Sequence, residues 1–145
     1  MKMNKKGVTL IELIVVFVII AIGAVLMVPN LRPWMANYRL RSATRDITST
    51  LRVAQMKAVS NNLVYRVSFD TGAKSYTLQR STGGVYVDEG VAQTLPAGIS
   101  IVVPGNNVVG FWPNSSSNGG SIQLSNTKNT RTITVLPSTG RITIQ

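Results

Sequence analysis

The sequence predicts an α+β fold, in which one long N-terminal helix packs on an antiparallel β-sheet head in the shape of a ladle. A nearly uncharged apolar segment occupies residues 8–29, and apolar residues then recur at helical spacing over residues 30–60. Short β-rich runs separated by turn residues fill residues 61–145. Spacings of three and four residues are typical of an amphipathic helix, and short alternating runs are typical of strands.

The first element is an apolar segment long enough to cross a bilayer. Between Val8 and Val28 the only charged residue is Glu12, and a helix of this length extends over about 31 Å. Three lysines and no acidic residue precede the segment: Lys2, Lys5 and Lys6. Positive charge marks the cytoplasmic side of a spanning helix. We therefore predict a single-pass membrane protein with a cytoplasmic N-terminus and an extracytoplasmic head.

Two simpler interpretations of this segment are a secretory signal peptide and a plain membrane anchor. The step Ala21-Ile22-Gly23 is similar to the small-residue cleavage site of a signal peptide. Glu12 argues against both interpretations, because an ionised carboxylate inside a spanning helix costs about 2.5–3.5 kcal/mol on insertion scales. Its presence indicates a partner or a function.

The segment KKGVTLIELIVVFVIIAIGAVLMVP resembles the N-terminal signature of type IV pilins and type II secretion pseudopilins. The resemblance implies a leader at residues 1–7, which a prepilin peptidase removes after Gly7, and N-methylation of the new first residue, Val8. Glu12 then occupies the fifth mature position, where the family has its glutamate. The family most often begins with phenylalanine, so Val8 is a departure. The resemblance also implies residence in the bacterial inner membrane, a periplasmic head, and later assembly into a pseudopilus or pilus.

Glu12 and Pro29 are the residues to which we assign filament assembly. Among packed hydrophobic helices, the Glu12 carboxylate would meet the amino group of Val8 on a neighbouring subunit and fix the register. Pro29 falls where the family has a helix-distorting proline, and a proline inside a helix removes a backbone hydrogen bond. With Pro33 close by, the alternative is that the helix ends here at the membrane face.

Residues 30–60 carry the pattern of an amphipathic helix that ends at Asn61-Asn62. The apolar stripe has seven members: Ala36, Leu40, Ala43, Ile47, Leu51, Ala54 and Ala58. Arg41, Arg45 and Arg52 lie on the opposite side, within about 40° of one another at about 100° per residue. This basic ridge is either a solvated helix face, which is the simpler interpretation, or a surface that contacts phosphates.

The remainder of the chain alternates between strand-like runs and turns. We predict eight strands: Leu63–Phe69, Ser75–Arg80, Val85–Val87, Ile99–Val103, Val108–Trp112, Ser121–Leu124, Thr130–Leu136 and Arg141–Ile144. The run Ser115–Gly120 has little apolar content, so we expect a mobile loop there. From Phe111 onward the chain resembles the FimT/GspH-like branch of the superfamily, in which a segment similar to FWPNSSSNGGSIQL precedes a final hairpin that ends in a Gly-Arg pair, here Gly140-Arg141.

Composition excludes most enzyme classes. Cysteine and histidine are both absent, so the chain has no thiolate ligand, no cysteine nucleophile and no histidine base. The five acidic residues show neither calcium-loop spacing nor a facing carboxylate pair. We predict a protein that is not an enzyme and has no cofactor or metal. The resemblance also disfavours a major pilus subunit, since the cysteine pair that usually closes the family's C-terminal loop is missing.

Two functions of different classes remain. The favoured one is a minor subunit of a type II secretion pseudopilus or a type IV pilus, with other pilins or pseudopilins, prepilin peptidase and the inner-membrane assembly machinery as partners. The alternative is capture of double-stranded DNA for natural transformation, because a net charge of +10 attracts phosphates. Four residues of the last hairpin would contact the DNA: Lys128, Arg131, Gly140 and Arg141. In DNA-binding relatives a second arginine follows two residues after the Gly-Arg pair, where this chain has Thr143. Cations that keep a sheet edge soluble are the simpler interpretation.

Overall fold

The computed structural model describes the backbone of residues 7–145 and the side chains of residues 7–25 and 33–145. The chain divides into two compact units, Met1–Met35 and Ala36–Gln145. One helix and nine strands are present in the described residues. In chain order they are α1 (Leu10–Asn61), β1 (Tyr65–Asp70), β2 (Ser75–Thr82), β3 (Val85–Asp88), β4 (Gln93–Thr94), β5 (Ser100–Val102), β6 (Val108–Phe111), β7 (Gly120–Ser125), β8 (Thr130–Val135) and β9 (Ile142–Ile144).

Helix α1 ends where the sequence predicts. Asn61 is its last residue, and Asn62 follows with a φ of 52°. A left-handed residue directly after a helix is a common termination signal, and asparagine tolerates it better than most residues do. The predicted break at Asn61-Asn62 is therefore confirmed.

The N-terminal part of α1 includes the predicted membrane segment. In the part of the chain that the structure describes, no helix combines the length and the apolarity that crossing a bilayer requires. The predicted span, residues 8–29, reaches into residues 26–32, whose side chains lie outside the described set, and it stays a prediction. The helix is continuous through Pro29; the side chain of Pro29 also lies outside the described residues, so its assembly role is untested.

The second half of α1 supplies the centre of the core. Six members of the predicted stripe are at most 2% exposed; Ala36, the seventh, is half-buried. Thr44 and Thr48 are buried beside the stripe, and their hydroxyls donate to the carbonyls of Leu40 and Thr44, each at 2.7 Å. These bonds satisfy two buried polar groups within the helix itself.

The strands of the predicted antiparallel head form two sheets. The first has the order β3-β2-β1-β6, with β4 also pairing with β2, and the second has the order β5-β7-β8-β9. In β1, buried Tyr65, Val67 and Phe69 alternate with half-buried Arg66 and Ser68, which gives the sheet one core face and one outer face. The inner faces of both sheets and the stripe of α1 belong to one buried cluster.

The α+β fold class is confirmed, and all eight predicted strands differ from the observed strands only at their ends. The predicted run Ile99–Val103 is shortened to the three residues of β5. Sequence analysis missed β4, whose two residues pair with Ser75 and Tyr76 of β2. Two residues are too few to show an alternating pattern. The Tyr76 hydroxyl donates to the Gln93 side-chain oxygen at 2.7 Å and fixes this short pairing.

Candidate functional site

The start of α1 has a defined cap. Gly7, Val8 and Thr9 precede the helix, and the Thr9 hydroxyl accepts a hydrogen bond from the backbone N–H of Glu12 at 3.4 Å. The Thr9 carbonyl accepts the first helical bond, from the Leu13 N–H at 3.2 Å. Thr9 is thus the N-cap, and Glu12 stands at the third helical position, where a glutamate favours helix initiation. The Thr-x-x-Glu spacing of Thr9 and Glu12 is the sequence signal for this cap.

The predicted cleavage site, Gly7-Val8, lies in open surroundings. Val8 is 73% exposed, and a Cβ atom placed on Gly7 would meet no atom within 4 Å. Both residues precede the helix, so their backbone carries none of the intrahelical hydrogen bonds that hinder proteolysis. A peptide bond in this setting is accessible to a peptidase.

The first part of α1, as far as Ile22, carries apolar side chains on all sides, and they are uncovered. Every large apolar side chain from Val8 to Ile22 is at least 46% exposed. An exposed apolar surface of this extent marks contact with a membrane or with other protein chains. A helix that is apolar on all sides is normally buried, either in a membrane or inside a protein core. Glu12 is the acidic residue in its first turn and is exposed as well.

The structure separates the cations that we had expected to sit together on the last hairpin. Leu136 pairs with Arg141 at the closed end of the β8–β9 hairpin, whereas Arg131 lies opposite Leu124 near the start of β8. Arg141 lies opposite Leu136, and Leu136 is five residue steps from Arg131 along the chain. At about 3.3 Å per residue the two arginines are therefore about 17 Å apart along the strand direction. Lys128 is in the β7–β8 turn, at the Arg131 end. The expected cluster of Lys128, Arg131 and Arg141 is therefore divided between two ends of the sheet.

Gly140 has a structural role that the sequence did not reveal. It is buried with a φ of 60°, and a Cβ atom there would lie 2.5 Å from the Ser115 carbonyl oxygen and 2.6 Å from the Gln55 side-chain nitrogen. The Gln55 amide donates to the carbonyls of Ser115 and Thr139 at 3.5 and 3.3 Å. The Gly-Arg pair thus contains a glycine that lets α1 and two loops approach closely.

The expectation of an unanchored Ser115–Gly120 loop is wrong, because hydrogen bonds fix it where apolar contacts do not. Ser117 is buried, and its N–H donates to the Pro137 carbonyl at 2.8 Å. The Asn118 side chain accepts from the Gly110 N–H at 2.8 Å and donates to the Val108 carbonyl at 3.0 Å. The loop therefore connects β6 of the first sheet to the β8–β9 turn of the second.

The two neighbouring acids of the chain face different partners. Asp88 accepts from the Gln79 amide at 2.7 Å, whereas Glu89 forms an ion pair with Lys57 of α1. The Lys57 ammonium lowers the pKa of the Glu89 carboxyl below its ordinary value. In the described part of the chain, no group of three or more acidic, histidine or cysteine residues is arranged to hold a metal ion. This geometry offers no facing carboxylate pair at Asp88-Glu89 for hydrolysis.

The basic ridge is solvent-exposed along its length. Arg41, Arg45 and Arg52 are all exposed, which agrees with a solvated helix face. Arg41 differs from the other two, since it lines an open cavity together with Arg131 of β8. The structure thus brings one ridge arginine and one hairpin arginine to the same place.

The chain matches two known protein-family models, one over its N-terminal segment and one over its head. Residues 2–28 match the prokaryotic N-terminal methylation motif, and residues 43–139, about two thirds of the chain, match the type II transport protein GspH. The chain belongs to the GspH family. No functionally curated protein matches the sequence significantly.

Solved structures show the same fold as this GspH-family chain. The type IV minor pilin FimU of Pseudomonas aeruginosa is similar with a TM-score of 0.64 at 15% identity, over 78% of this chain and 92% of FimU. The minor pseudopilin EpsH of the Vibrio cholerae type 2 secretion system is similar with a TM-score of 0.61 at 11% identity, over 76% of this chain and 95% of EpsH. At these identities the likeness establishes a shared fold.

Proposed function

We propose that this GspH-family chain is a minor subunit of a type II secretion pseudopilus or a type IV pilus, and that it acts by assembly and not by catalysis. The observation that carries the proposal is the uncovered apolar surface of α1 between Val8 and Ile22, which follows a matched methylation motif. Such a surface needs lipid before assembly and other helices after it. The fold shared with a minor pilin and a minor pseudopilin supports the same function.

Processing at Gly7 prepares the subunit for assembly. Removal of residues 1–7 leaves Val8 as a charged terminal amine two residues before the first helical residue, Leu10. The N-terminus of a helix already carries partial positive charge, so the new amine is unfavourable there unless a carboxylate compensates it. Glu12 provides that carboxylate. Before assembly it compensates the Val8 amine of its own chain, and in the filament it compensates the Val8 amine of a neighbouring subunit.

The subunit resides in the inner membrane before it enters the filament. The lysines at 2, 5 and 6 keep the N-terminus in the cytoplasm, so the unit Ala36–Gln145 faces the periplasm. Its partners are other pilins or pseudopilins, the prepilin peptidase, and the inner-membrane machinery that extracts the helix from the lipid. Pro29 stays assigned to helix distortion during this step.

Incorporation into filaments tests the proposal. The full chain is produced in cells with a prepilin peptidase and an assembly system, and its share in the sheared filament fraction is measured. We expect Glu12→Gln to be cleaved normally but incorporated severalfold less, because the carboxylate that meets the neighbouring amine is lost. Asp46→Asn is the matched control, since Asp46 is an exposed acid of the same helix. Equal incorporation of wild type and Glu12→Gln would contradict the assigned role of Glu12, and absence of the wild type from filaments would contradict the function.

Capture of double-stranded DNA is the second candidate function. The charge balance favours it, because the chain from Arg32 onward has twelve Lys and Arg residues but only four acidic residues. The full chain is titrated with duplex DNA across a salt series. DNA capture at the hairpin predicts affinity that falls steeply with salt and that drops on Arg141→Ala and Arg131→Ala. Because Arg131 and Arg141 lie at opposite ends of β8, loss of binding in only one variant identifies the end that contacts DNA. Binding that neither variant affects excludes the hairpin.

A further inference from the structure

Strand β3 forms an open edge of the first sheet. It is the outermost strand there, and no strand of the described chain pairs with its other side. All four of its residues are exposed, and Val85, Tyr86 and Val87 expose 65%, 37% and 45% of their surface. Gly83 and Gly84 both have positive φ values and join β2 to β3 in a tight turn. The edge is thus apolar, and β3 has none of the lysines or prolines that usually keep edge strands from pairing with other chains.

The backbone groups on the outer side of β3 are available for pairing. The Glu89 N–H donates to the Leu78 carbonyl of β2 at 2.7 Å, so Val87, two residues before it, also directs its backbone groups towards β2. The N–H and carbonyl groups of Tyr86 and Asp88 therefore point away from the sheet. No hydrogen bond within the described residues engages them. A strand that lay beside β3 would pair with these groups.

The opposite edge of the first sheet is closed. The polar loop covers the outer side of β6, because the Asn118 side chain accepts from the Gly110 N–H and donates to the Val108 carbonyl. Phe111 also forms a β-bridge with Ser117 of the loop. Identical subunits joined head to tail through this sheet would need two open edges. The loop therefore blocks continuous self-pairing of the first sheet.

A positive charge lies next to the open edge, on the core face of the sheet. Buried Tyr65 pairs with Arg80, and Arg80 pairs with Val87; residues directly opposite each other point to the same face. Arg80 itself is exposed. Glu89 follows Val87 on this face, and its carboxylate is engaged by Lys57. The cross-strand row from Arg80 to Val87 therefore presents a cation to the residue of an adjoining strand that would extend it.

A polar network holds the outer face of the same edge in place. The Arg66 side chain donates to the Gln79 side-chain oxygen at 2.7 Å, and the Gln79 amide donates to Asp88 at 2.7 Å. The Arg66 guanidinium also stacks on the Tyr86 ring, with its central carbon 3.5 Å from the ring centroid. Two of the four side chains of β3 are thus fixed before a partner arrives. A preformed edge loses less entropy when it takes up a strand.

We propose that β3 pairs with a strand from a different subunit of the same filament, and that this strand has an acidic residue opposite Val87 and an apolar residue opposite Val85. Arg80 attracts the acidic residue, and the exposed Val85 packs against the apolar one. A second copy of β3 does not supply this acid, since its core-face residues are both valines and Asp88 lies on the other face. The inference rests on the proposed function, because the partner is another filament subunit.

Photocrosslinking of the full chain tests the proposal. The chain carries p-benzoylphenylalanine in place of Tyr86 and is produced in cells with a prepilin peptidase and an assembly system. Membranes and sheared filaments are then irradiated. We expect one covalent product, whose mass identifies a filament subunit other than this chain.

Variants of opposite charge make the test specific for an acidic partner residue. Arg80→Glu and Val87→Glu should each reduce the yield of the product severalfold, since like charges across neighbouring strands destabilise their pairing. Arg80→Lys and Val87→Lys should retain it. Val102→Glu is the matched control, because Val102 is an exposed valine of β5 in the second sheet, and it should leave the yield unchanged.

Incorporation of the wild-type chain into filaments is measured in the same samples. If the chain is incorporated but forms no product, or forms one only with a second copy of itself, the edge proposal is wrong and the proposed function stands. Equal yields from the glutamate and lysine variants would overturn the acidic partner. Absence of the wild-type chain from filaments would overturn the proposed function and this inference with it.

Discussion

The side-chain nitrogen of Gln55 lies 2.6 Å from the position that a Cβ atom would occupy on Gly140. The Ser115 carbonyl oxygen is equally close, at 2.5 Å, and the chain at Gly140 has a positive φ. Helix α1, the polar loop and the last hairpin therefore meet at a point where no side chain fits. This contact explains the glycine of the Gly-Arg pair without any ligand.

Gly140→Ala tests that explanation. We expect a loss of about 2–5 kcal/mol in the free energy of unfolding, since a left-handed alanine costs about 1–2 kcal/mol and overpacking adds about 1–3 kcal/mol. Gly98→Ala is the control, because Gly98 also has a positive φ but has open space around its Cβ position. Denaturant unfolding of the full chain in neutral detergent provides the measurement. Equal losses in the two variants would show that the close contact is not important.

Asn118→Ala should loosen the polar loop. The substitution removes the bonds to the Gly110 N–H and the Val108 carbonyl, and we expect it to cost about 1–3 kcal/mol. Asn114→Ala provides the comparison, since the Asn114 side-chain oxygen accepts hydrogen bonds from the N–H and the hydroxyl of Ser116 within the same loop. Hydrogen exchange at Gly110 reports the change directly. If Asn118→Ala leaves both stability and this exchange rate unchanged, the Asn118 side chain does not anchor the loop to β6.

The Lys57–Glu89 ion pair makes stability depend on pH. The pKa of Glu89 is lowered by Lys57 in the folded chain, so the folded state binds fewer protons than the unfolded state. Its contribution is present above the ordinary glutamate value of about 4.3 and is lost as pH falls through the folded value. Both side chains are partly exposed, at 38% and 30%, so we expect about 1 kcal/mol or less.

Unfolding of the full chain between neutral and acidic pH checks this contribution. Glu89→Gln should lower stability at neutral pH and weaken its decline on acidification, and Lys57→Gln should do the same. A wild-type decline that persists unchanged in both variants would assign the acid sensitivity to other carboxylates.

The buried stripe of α1 should dominate the stability of the unit Ala36–Gln145. Leu51 is fully buried, whereas Met56, on the same helix, is 62% exposed. We expect Leu51→Ala to cost about 2–5 kcal/mol in the free energy of unfolding and Met56→Ala to change it by about 0.5 kcal/mol or less. Equal losses in the free energy of unfolding for the two substitutions would show that the stripe of α1 is not the centre of the core.

The fold was predictable where periodicity is strong. The stripe from Leu40 to Ala58 and the alternation of Tyr65, Val67 and Phe69 each follow from side-chain direction in a helix or a strand. The division of the strands into two sheets was not predictable, because pairing between distant segments leaves no trace in local spacing. The two residues of β4 are too short for any pattern, and hydrogen bonds such as that of Asn118 do not show in a count of apolar residues.

The candidate sites divide in the same way. Gly7, Val8 and Glu12 were predicted from a linear motif, which a sequence displays directly, and these assignments stay predictions. That Arg41 and Arg131 line one cavity was not predicted, since the two residues are far apart in the chain. The expected grouping of Arg131 with Arg141 was wrong for a related reason, because closeness in sequence does not give the register of a hairpin.

The most direct test of the assembly account is the intact mass of the protein extracted from membranes of cells that contain a prepilin peptidase. The account predicts a chain that begins at Val8 and carries the mass of one added methyl group, and Gly7→Val should leave the full-length chain unprocessed. A mature chain that begins after Gly23, as a secretory signal peptide would give, or a wild-type chain that keeps residues 1–7, would contradict it.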